Sequence, residues 1–360
     1  MQDLIRRYRD PVILVLGLLV LGFFKAARGS DGMTLLFIAL GMSLVVGLVS
    51  FDKGDLLRRY GTGLTWLIIL LVTFWLVMLV IVPNITLFEQ SFRPYLPVSE
   101  VGGPKDTYSV SNYLKVFDGN TDVTMFGQTF EMPVHVMTFG LTIWYSIVVT
   151  IMCFVLAYPL AYYMAKVVAP KTLPTLLLLL FVPLWVSEVL RAFAWWIILA
   201  FKGPLNALLM AVGLIEDPIR WTNMGYSGVV VGLVYTYVLF MLFPIYNAIS
   251  SLDTNQIEAA DDLGAAWWKI HLRIVMPHAK PGIASGAIMV FMLSAGSLLV
   301  PSILGSTTSQ WFTQTIDQWF KDALDWNTAS AYAFLLLILC TVFVTIAMKV
   351  FKVKLSDIAK

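Results

Sequence analysis

From Leu64 to Val82, nineteen consecutive residues carry no charge and only two hydroxyls, those of Thr65 and Thr73. A helix that crosses the hydrocarbon core of a bilayer needs roughly 20 mostly apolar residues, so this run fixes the solvent of at least part of the chain. It belongs to a series of eight apolar blocks, at about 11–24, 33–51, 63–83, 138–165, 172–200, 226–250, 282–304 and 329–351. The 360 residues are 59% hydrophobic and 13% charged, with mean hydropathy +0.82, whereas a soluble domain runs near 25% charged. The expected fold class is all-α: a polytopic membrane protein with eight spans. The first block is the shortest. It is a helix whose flanking Arg6, Arg7, Arg9 and Lys25 snorkel, or a signal peptide with a basic start and an apolar middle. The second apolar block follows at once and no small-residue cleavage site is evident, which favours an uncleaved helix.

Basic residues set the orientation. With eight spans and an inside N-terminus, the inner segments hold fifteen of the 24 Lys and Arg residues. The long outer segment, 84–137, sets Arg93, Lys105 and Lys115 against Glu89, Glu100, Asp106, Asp118, Asp122 and Glu131, a net of −3. Positive-inside asymmetry then places both termini and the loop 251–277 in the cytoplasm. The chain divides near residue 62 into an N-terminal two-helix membrane extension, 1–62, and a six-span region, 63–360. The outer segment is rich in turn chemistry, with Pro94, Pro97, Gly102-Gly103-Pro104 and Asp118-Gly119-Asn120. It is a lid or docking surface, or else a plain connector.

Several chemistries are excluded. Cys153 and Cys340 lie inside apolar blocks, and His135, His271 and His278 are scattered; no CxxC or HExxH spacing offers a zinc ligand set. No glycine-rich phosphate loop of the G-x-x-x-x-G-K-[ST] type occurs. The chain is therefore read as a non-enzyme, without cofactor or metal, and any ATP-driven step needs another polypeptide. A net charge of +2 without a basic stripe gives no reason to expect nucleic acid.

Between two apolar blocks lies Ile257–Pro277, IEAADDLGAAWWKIHLRIVMP. Glu258-Ala259-Ala260, then Gly264, then Ile274-x-Met276-Pro277 resembles the EAA loop of ABC-importer permeases, with Met276 where that family usually has Leu. Ala259 and Ala260 add little bulk, so a helix there can approach a cleft closely. Glu258, read as near a helix N-terminus, offers a charge to a partner. Gly264 can take positive φ between two short helices, and Trp267 and Trp268 are expected to anchor the second helix on the bundle. A solvated amphipathic loop would use the same alanines; the full spacing is what favours coupling.

Over roughly 63–360 the chain is similar to the B-type permeases of spermidine/putrescine importers. The pieces that carry this include Ala157-Tyr158-Pro159-Leu160-Ala161, Lys202-Gly203-Pro204-Leu205-Asn206, Asp217-Pro218-Ile219-Arg220 and Val300-Pro301-x-x-Leu304-Gly305. The resemblance implies a six-helix ABC-importer permease core in a bacterial cytoplasmic membrane. It implies a heterodimer with a second permease subunit, two copies of an ATPase subunit that bind ATP and Mg, and an extracytoplasmic solute-binding protein. It implies Glu258, Ala259, Ala260, Gly264, Ile274 and Pro277 as the coupling residues. A polyamine is the expected solute; an opine, ferric iron, thiamine or a phosphonate is the alternative. The two N-terminal helices lie outside the family's usual six-span pattern.

Candidates for the solute path are Glu188 and Arg191, with Trp185 and Trp195 nearby. An ionisable residue in a span is by default a functional candidate, and aromatic faces suit a passing ammonium. At i, i+3 the two charges can equally pair with each other and lock the helix. Asp317, Asp322, Asp325, Trp319 and Trp326, in the last outer loop, are candidates for docking or for solute contact. Pro159, Pro183, Pro244 and Pro301 bend helices as gate hinges or as static shape. A secondary transporter would need intramembrane carboxylates in both halves of an internal repeat, and no such repeat is evident. A reporter active only outside the cytoplasm should work when fused after Gly119 and stay silent after Asn255; the reverse pattern would invert the charge argument.

Overall fold

A computed structural model describes residues 53–97, 100, 103–125, 128–221, 225–306 and 309–352, with backbone alone for 53–60, 120–125 and 128–130. The apolar blocks 11–24 and 33–51 lie outside the described residues. Five helical runs are long and apolar enough to cross a bilayer: Gly61–Ser91, Val134–Val167, Ser227–Ser250, Trp267–Ala295 and Trp326–Phe351. A further apolar pair, Leu173–Trp185 and Glu188–Ile198, is bent by 89°, as a broken span or a re-entrant loop would be. Each falls on one of the six blocks from 63 onward. Two blocks need correction. The block 172–200 is not one rod, and 282–304 is a helix that starts well before the apolar run, ends at Ala295 and is followed by a separate short helix.

The described residues divide into two compact units. In the first, which runs to Lys115 and includes Leu324–Phe334, α1 (Lys53–Leu76) kinks at Gly61, where φ is 73°. A π-helical turn at Val77–Ile81 leads into α2 (Val82–Ser91), with Pro83 at its start, where the missing N–H costs little. Past α2 the chain folds back through α3 (Ser111–Leu114). Asn112, 1% exposed, ties this return down by donating to the carbonyls of Ser91 at 3.0 Å and Arg93 at 2.7 Å. Asn327 donates to the same Arg93 carbonyl at 2.9 Å. Lys115 Nζ reaches Asp325 at 2.9 Å and Thr328 at 2.7 Å. Burial pushes the Asp325 carboxyl up, but the bonds from Lys115 and Thr328 outweigh it and hold it below the usual carboxylate range.

The second unit, Val116–Ala323 with the described residues from Leu335 on, opens on an antiparallel hairpin of β1 (Asn120–Met125) and β2 (Gln128–Pro133), in register Val123 with Phe130. Turn chemistry alone did not disclose these strands. There follow α4 (Val134–Tyr162) with a π-turn at Tyr163–Val167, α5 (Leu173–Trp185), α6 (Glu188–Ile198), α7 (Pro204–Ala211) and α8 (Ser227–Ser250). Then come α9 (Thr254–Asp262), α10 (Trp267–Ile270), a π-turn at His271–Val275, α11 (Met276–Ala295), α12 (Leu299–Leu304) and α13 (Phe312–Lys321), and the last helix, α14 (Trp326–Phe351), belongs to the first unit as far as Phe334 and to the second from Leu335.

The kernel of this unit is α4, α8 and α11. Val149, Cys153, Ala157 and Ala161 recur every fourth residue along α4 and are each 0% exposed. In lipid, helices gain nothing by hiding apolar surface from water, so close van der Waals fit must hold them together, and small residues permit it. The approach of α11 to α8 shows how tight the fit is. A Cβ added to Gly282 would lie 2.4 Å from the Pro244 carbonyl oxygen, and one on Gly286 2.7 Å from the Met241 sulfur. At one end of the kernel Lys166 Nζ donates to the Leu252 carbonyl. At the other, Trp311 (0% exposed) donates to the Ser294 carbonyl at 3.1 Å, and the Phe312 N–H donates to Thr142 Oγ1 at 2.9 Å.

Gly282→Val should therefore lower the thermal midpoint of the purified protein, at a cost of about 1–3 kcal/mol or more for overpacking against backbone. Gly63→Ala, where an added Cβ meets nothing within 4 Å, should leave the midpoint unchanged. Equal behaviour of the two variants would remove the close approach as a determinant of the kernel.

Candidate functional site

The coupling candidates fall on α9 and on the chain that leads back into α11. Asp253 caps α9, its carboxylate accepting from the Asn255 N–H at 3.0 Å. The helix ends on Gly264 at φ 73°. There the Ala265 N–H reaches the Ala260 carbonyl at 3.0 Å and the Gly264 N–H the Asp261 carbonyl at 2.8 Å. That pair of bonds is a Schellman cap, which needs a left-handed residue where glycine stands. The positive φ expected from sequence is present. An added Cβ on Gly264 would meet nothing within 4 Å, so the requirement is conformational, not steric.

Two faces of α9 separate cleanly. Ile257, Ala260 and Ala265 pack against the hydrophobic core, as does Ile274 beyond the turn. Glu258, Ala259, Asp261 and Asp262 are exposed, and Leu263 is 89% exposed. Glu258 is the fifth of nine residues, so it lies past the first turn and the helix dipole favours it less than the sequence suggests. The tryptophans also differ from expectation. Trp267 is 73% and Trp268 54% exposed; the residues that seat this segment are Ile270 and His271, both buried. His271 Nδ1 is 2.7 Å from Tyr158 Oη on α4, and its ring lies 4.4 Å from that of Tyr162. His271 Nε2 is buried without a hydrogen-bond partner among the described residues. The helical ladder then widens, Met276 N–H reaching the His271 carbonyl, one residue before Pro277, which has no N–H to give.

The solute-path candidates sit on α6, which begins after the 89° break. Pro183 weakens the end of α5, Val186 is extended at ψ 133°, and Ser187 restarts the helix by accepting from the Leu190 N–H at 3.3 Å. Glu188 and Arg191 do not pair with each other; both turn to α8. Tyr237 Oη donates to Glu188 at 3.0 Å, and Arg191 Nη1 donates to the Thr236 carbonyl at 3.4 Å. Arg191 Nε is buried without a partner among the described residues. Trp195 meets Tyr235 edge-on at 5.3 Å, while Trp185 is 73% exposed and stands apart. Glu188, Arg191 and Trp195 thus form one polar and aromatic strip between α6 and α8, with α12 packed on α6.

The family described as binding-protein-dependent transport system inner membrane component matches residues 157–356. The chain belongs to this family. It is 31% identical over 295 residues to the spermidine/putrescine transport system permease protein PotB of Salmonella typhimurium strain SL1344, covering 81% of this chain and 96% of that one. To PotB of Escherichia coli strain K12 it is 31% identical over 257 residues, covering 71% and 86%. Among solved structures, a bacterial alginate ABC transporter in complex with an alginate pentasaccharide-bound periplasmic protein matches with TM-score 0.62 at 16% identity, over 84% of this chain and 99% of that one. At that identity the likeness is one of fold.

This inner membrane component is a multi-pass transport permease, and its family region contains the coupling candidates on α9, the Glu188 strip and His271. The outer candidates scatter. Asp317 pairs with Lys321 at 2.9 Å on α13, Asp322 is exposed, and Asp325 is the buried partner of Lys115. Sequence reasoning missed the Tyr158–His271 bond, because nothing local joins residues 113 positions apart. Tyr158→Phe leaves both His271 ring nitrogens unpaired in a buried site. It should cost about 1–3 kcal/mol, read as a lower thermal midpoint. Adding His271→Leu to that variant should cost little more; fully additive losses would show that the bond contributes nothing.

Proposed function

We propose that this permease is one of two transmembrane subunits of an ATP-driven importer, and that its solute is a polyamine of the putrescine and spermidine kind. The observation that carries the reading is the capped helix α9, held to the bundle by Ile257 and Ala260 and offering Glu258, Ala259, Asp261, Asp262 and Leu263 outward. Three carboxylates around one apolar side chain suit a basic groove with an apolar floor on a partner protein. That partner is an ATPase present in two copies, which binds ATP and Mg and does the hydrolysis; this chain contributes no catalytic residue and no cofactor site. A second permease completes the path, and an extracytoplasmic binding protein delivers the solute. The PotB relatives support the polyamine, as does the surplus of acids in segment 84–137, which favours an incoming cation. The Glu188, Arg191 and Trp195 strip is the stretch of path this chain supplies, and Glu188 is its contact for an ammonium.

Gly264→Val should loosen the ATPase and lower uptake, since a residue with a Cβ takes the left-handed conformation at a cost of about 1–2 kcal/mol. Gly264→Asn should do less harm, because Asn visits that region readily. Glu258→Ala should weaken ATPase retention more mildly. The readouts are ATPase co-purifying with the permease, uptake of labelled putrescine, and the amount of inserted permease. Full retention and full uptake in all three variants, with insertion normal, would make the loop a passive connector.

A further inference from the structure

A cleft of about 480 Å³ opens in the first unit, where α2 ends and α14 begins. Its α2 side, Thr86 to Asp106, lies outside the family's matched region, while Leu324, Trp326 and Asn327 lie within it, and the charge argument places the cleft on the outer side of the membrane. Among its lining residues are Glu89, Arg93, Tyr95, Asp106, Trp326 and Asn327. One guanidinium serves two carboxylates: Arg93 Nη2 donates to Glu89 Oε1 at 2.5 Å, and Nη1 to Asp106 at 3.1 Å. The Glu89 side chain is 9% exposed, so its charge is little diluted by bulk water. Glu89 Oε1 also accepts from Tyr108 Oη at 3.2 Å, whereas Oε2 has no partner among the described residues. On the same cleft Tyr95 and Trp326 are 55% and 56% exposed. Two bare aromatic rings beside an under-compensated carboxylate describe what the site lacks: N–H donors carrying a positive charge, on a slender apolar stem.

We propose that this cleft is a receiving subsite for a primary alkylammonium. The ammonium would donate to Glu89 Oε2 and supply the missing charge, while its methylenes lie against Tyr95 and Trp326, whose ring faces attract cations. A carboxylate or a neutral sugar meets neither need. The inference rests on the polyamine reading above for its ligand class, and none of the cleft's lining residues belongs to the Glu188 strip.

The test uses the assembled transporter in lipid nanodiscs, without binding protein, and 1,4-diaminobutane as the probe, followed by saturation-transfer NMR. Wild type should bind the diamine and ignore butyrate. Glu89→Gln, which keeps an acceptor for Arg93 and Tyr108, should weaken binding roughly tenfold, the scale of one charge-assisted hydrogen bond. Trp326→Leu leaves the ion network whole and should weaken binding about threefold, as expected for one cation–π contact. No binding by wild type at about 10 mM, the upper end of weak association, overturns the proposal, as does unchanged binding in both variants. The same ammonium chemistry exists on a lysine of the docking binding protein. If Glu89→Gln weakens docking of that protein while diamine binding is unchanged, the subsite for solute is overturned. Stimulation of ATP hydrolysis by polyamine-loaded binding protein tests the importer reading separately: its presence alongside absent diamine binding sinks the subsite alone, and its absence in wild type sinks the polyamine reading alone.

Discussion

The contact between α11 and α8 is the constraint on which the larger unit depends. Without water to drive association, two helices in lipid stay together only where their surfaces fit atom against atom. Here the fit leaves no room for a methyl at Gly282 or Gly286. The third member of the kernel, α4, meets it with a stripe of small residues. Everything with chemical interest in that unit hangs from these three helices. The strip of Glu188 and Arg191 is held by α8 through Tyr237 and Thr236, and α9 hangs between the end of α8 and the start of α11.

The candidate sites lie where the helical ladder is interrupted. A regular helix satisfies its own backbone and has nothing to offer inside a membrane. Each interruption frees polar groups or aims a side chain. The break at Val186–Ser187 brings a helix start, and with it Glu188, into a span. The π-turn at His271–Val275 turns a buried imidazole onto Tyr158. Such turns recur at working sites because one extra residue per turn shifts the register of everything that follows.

What the sequence discloses divides along the same line. Five unbroken crossings are legible in composition, because twenty apolar residues in a row have one solvent. Gly264 is legible too, since the residue pattern asks for a turn between two helices and glycine is the residue that makes it without strain. The bend after Trp185 is not, because Pro183 alone is compatible with a mild kink or a full stop. The partners of Glu188 and Arg191 lie on α8, and helix rotation decides whether an i, i+3 pair meets itself or its neighbour. Asp325 reads as a docking candidate in an outer loop, yet it is buried against Lys115, 210 residues earlier. Long-range pairs of this kind leave no periodic trace. The exposure of Trp267 and Trp268 follows from the same limit: large apolar area on a short helix says that something covers it, not what.

The two bonds that flank α9 have a mechanical consequence. Ahead of the helix, the Leu252 carbonyl is held by Lys166; behind it, His271 is held by Tyr158. Both anchors are on one rod, α4 with its terminal π-turn, about two helical turns apart. A segment pinned at both ends to the same rod cannot swing like a gate on one hinge. A load applied to α9 is shared between the pins, and any difference between them becomes torque on the rod instead of slack in the loop. Nine residues of helix thus behave as a short crank handle rather than a tethered ball.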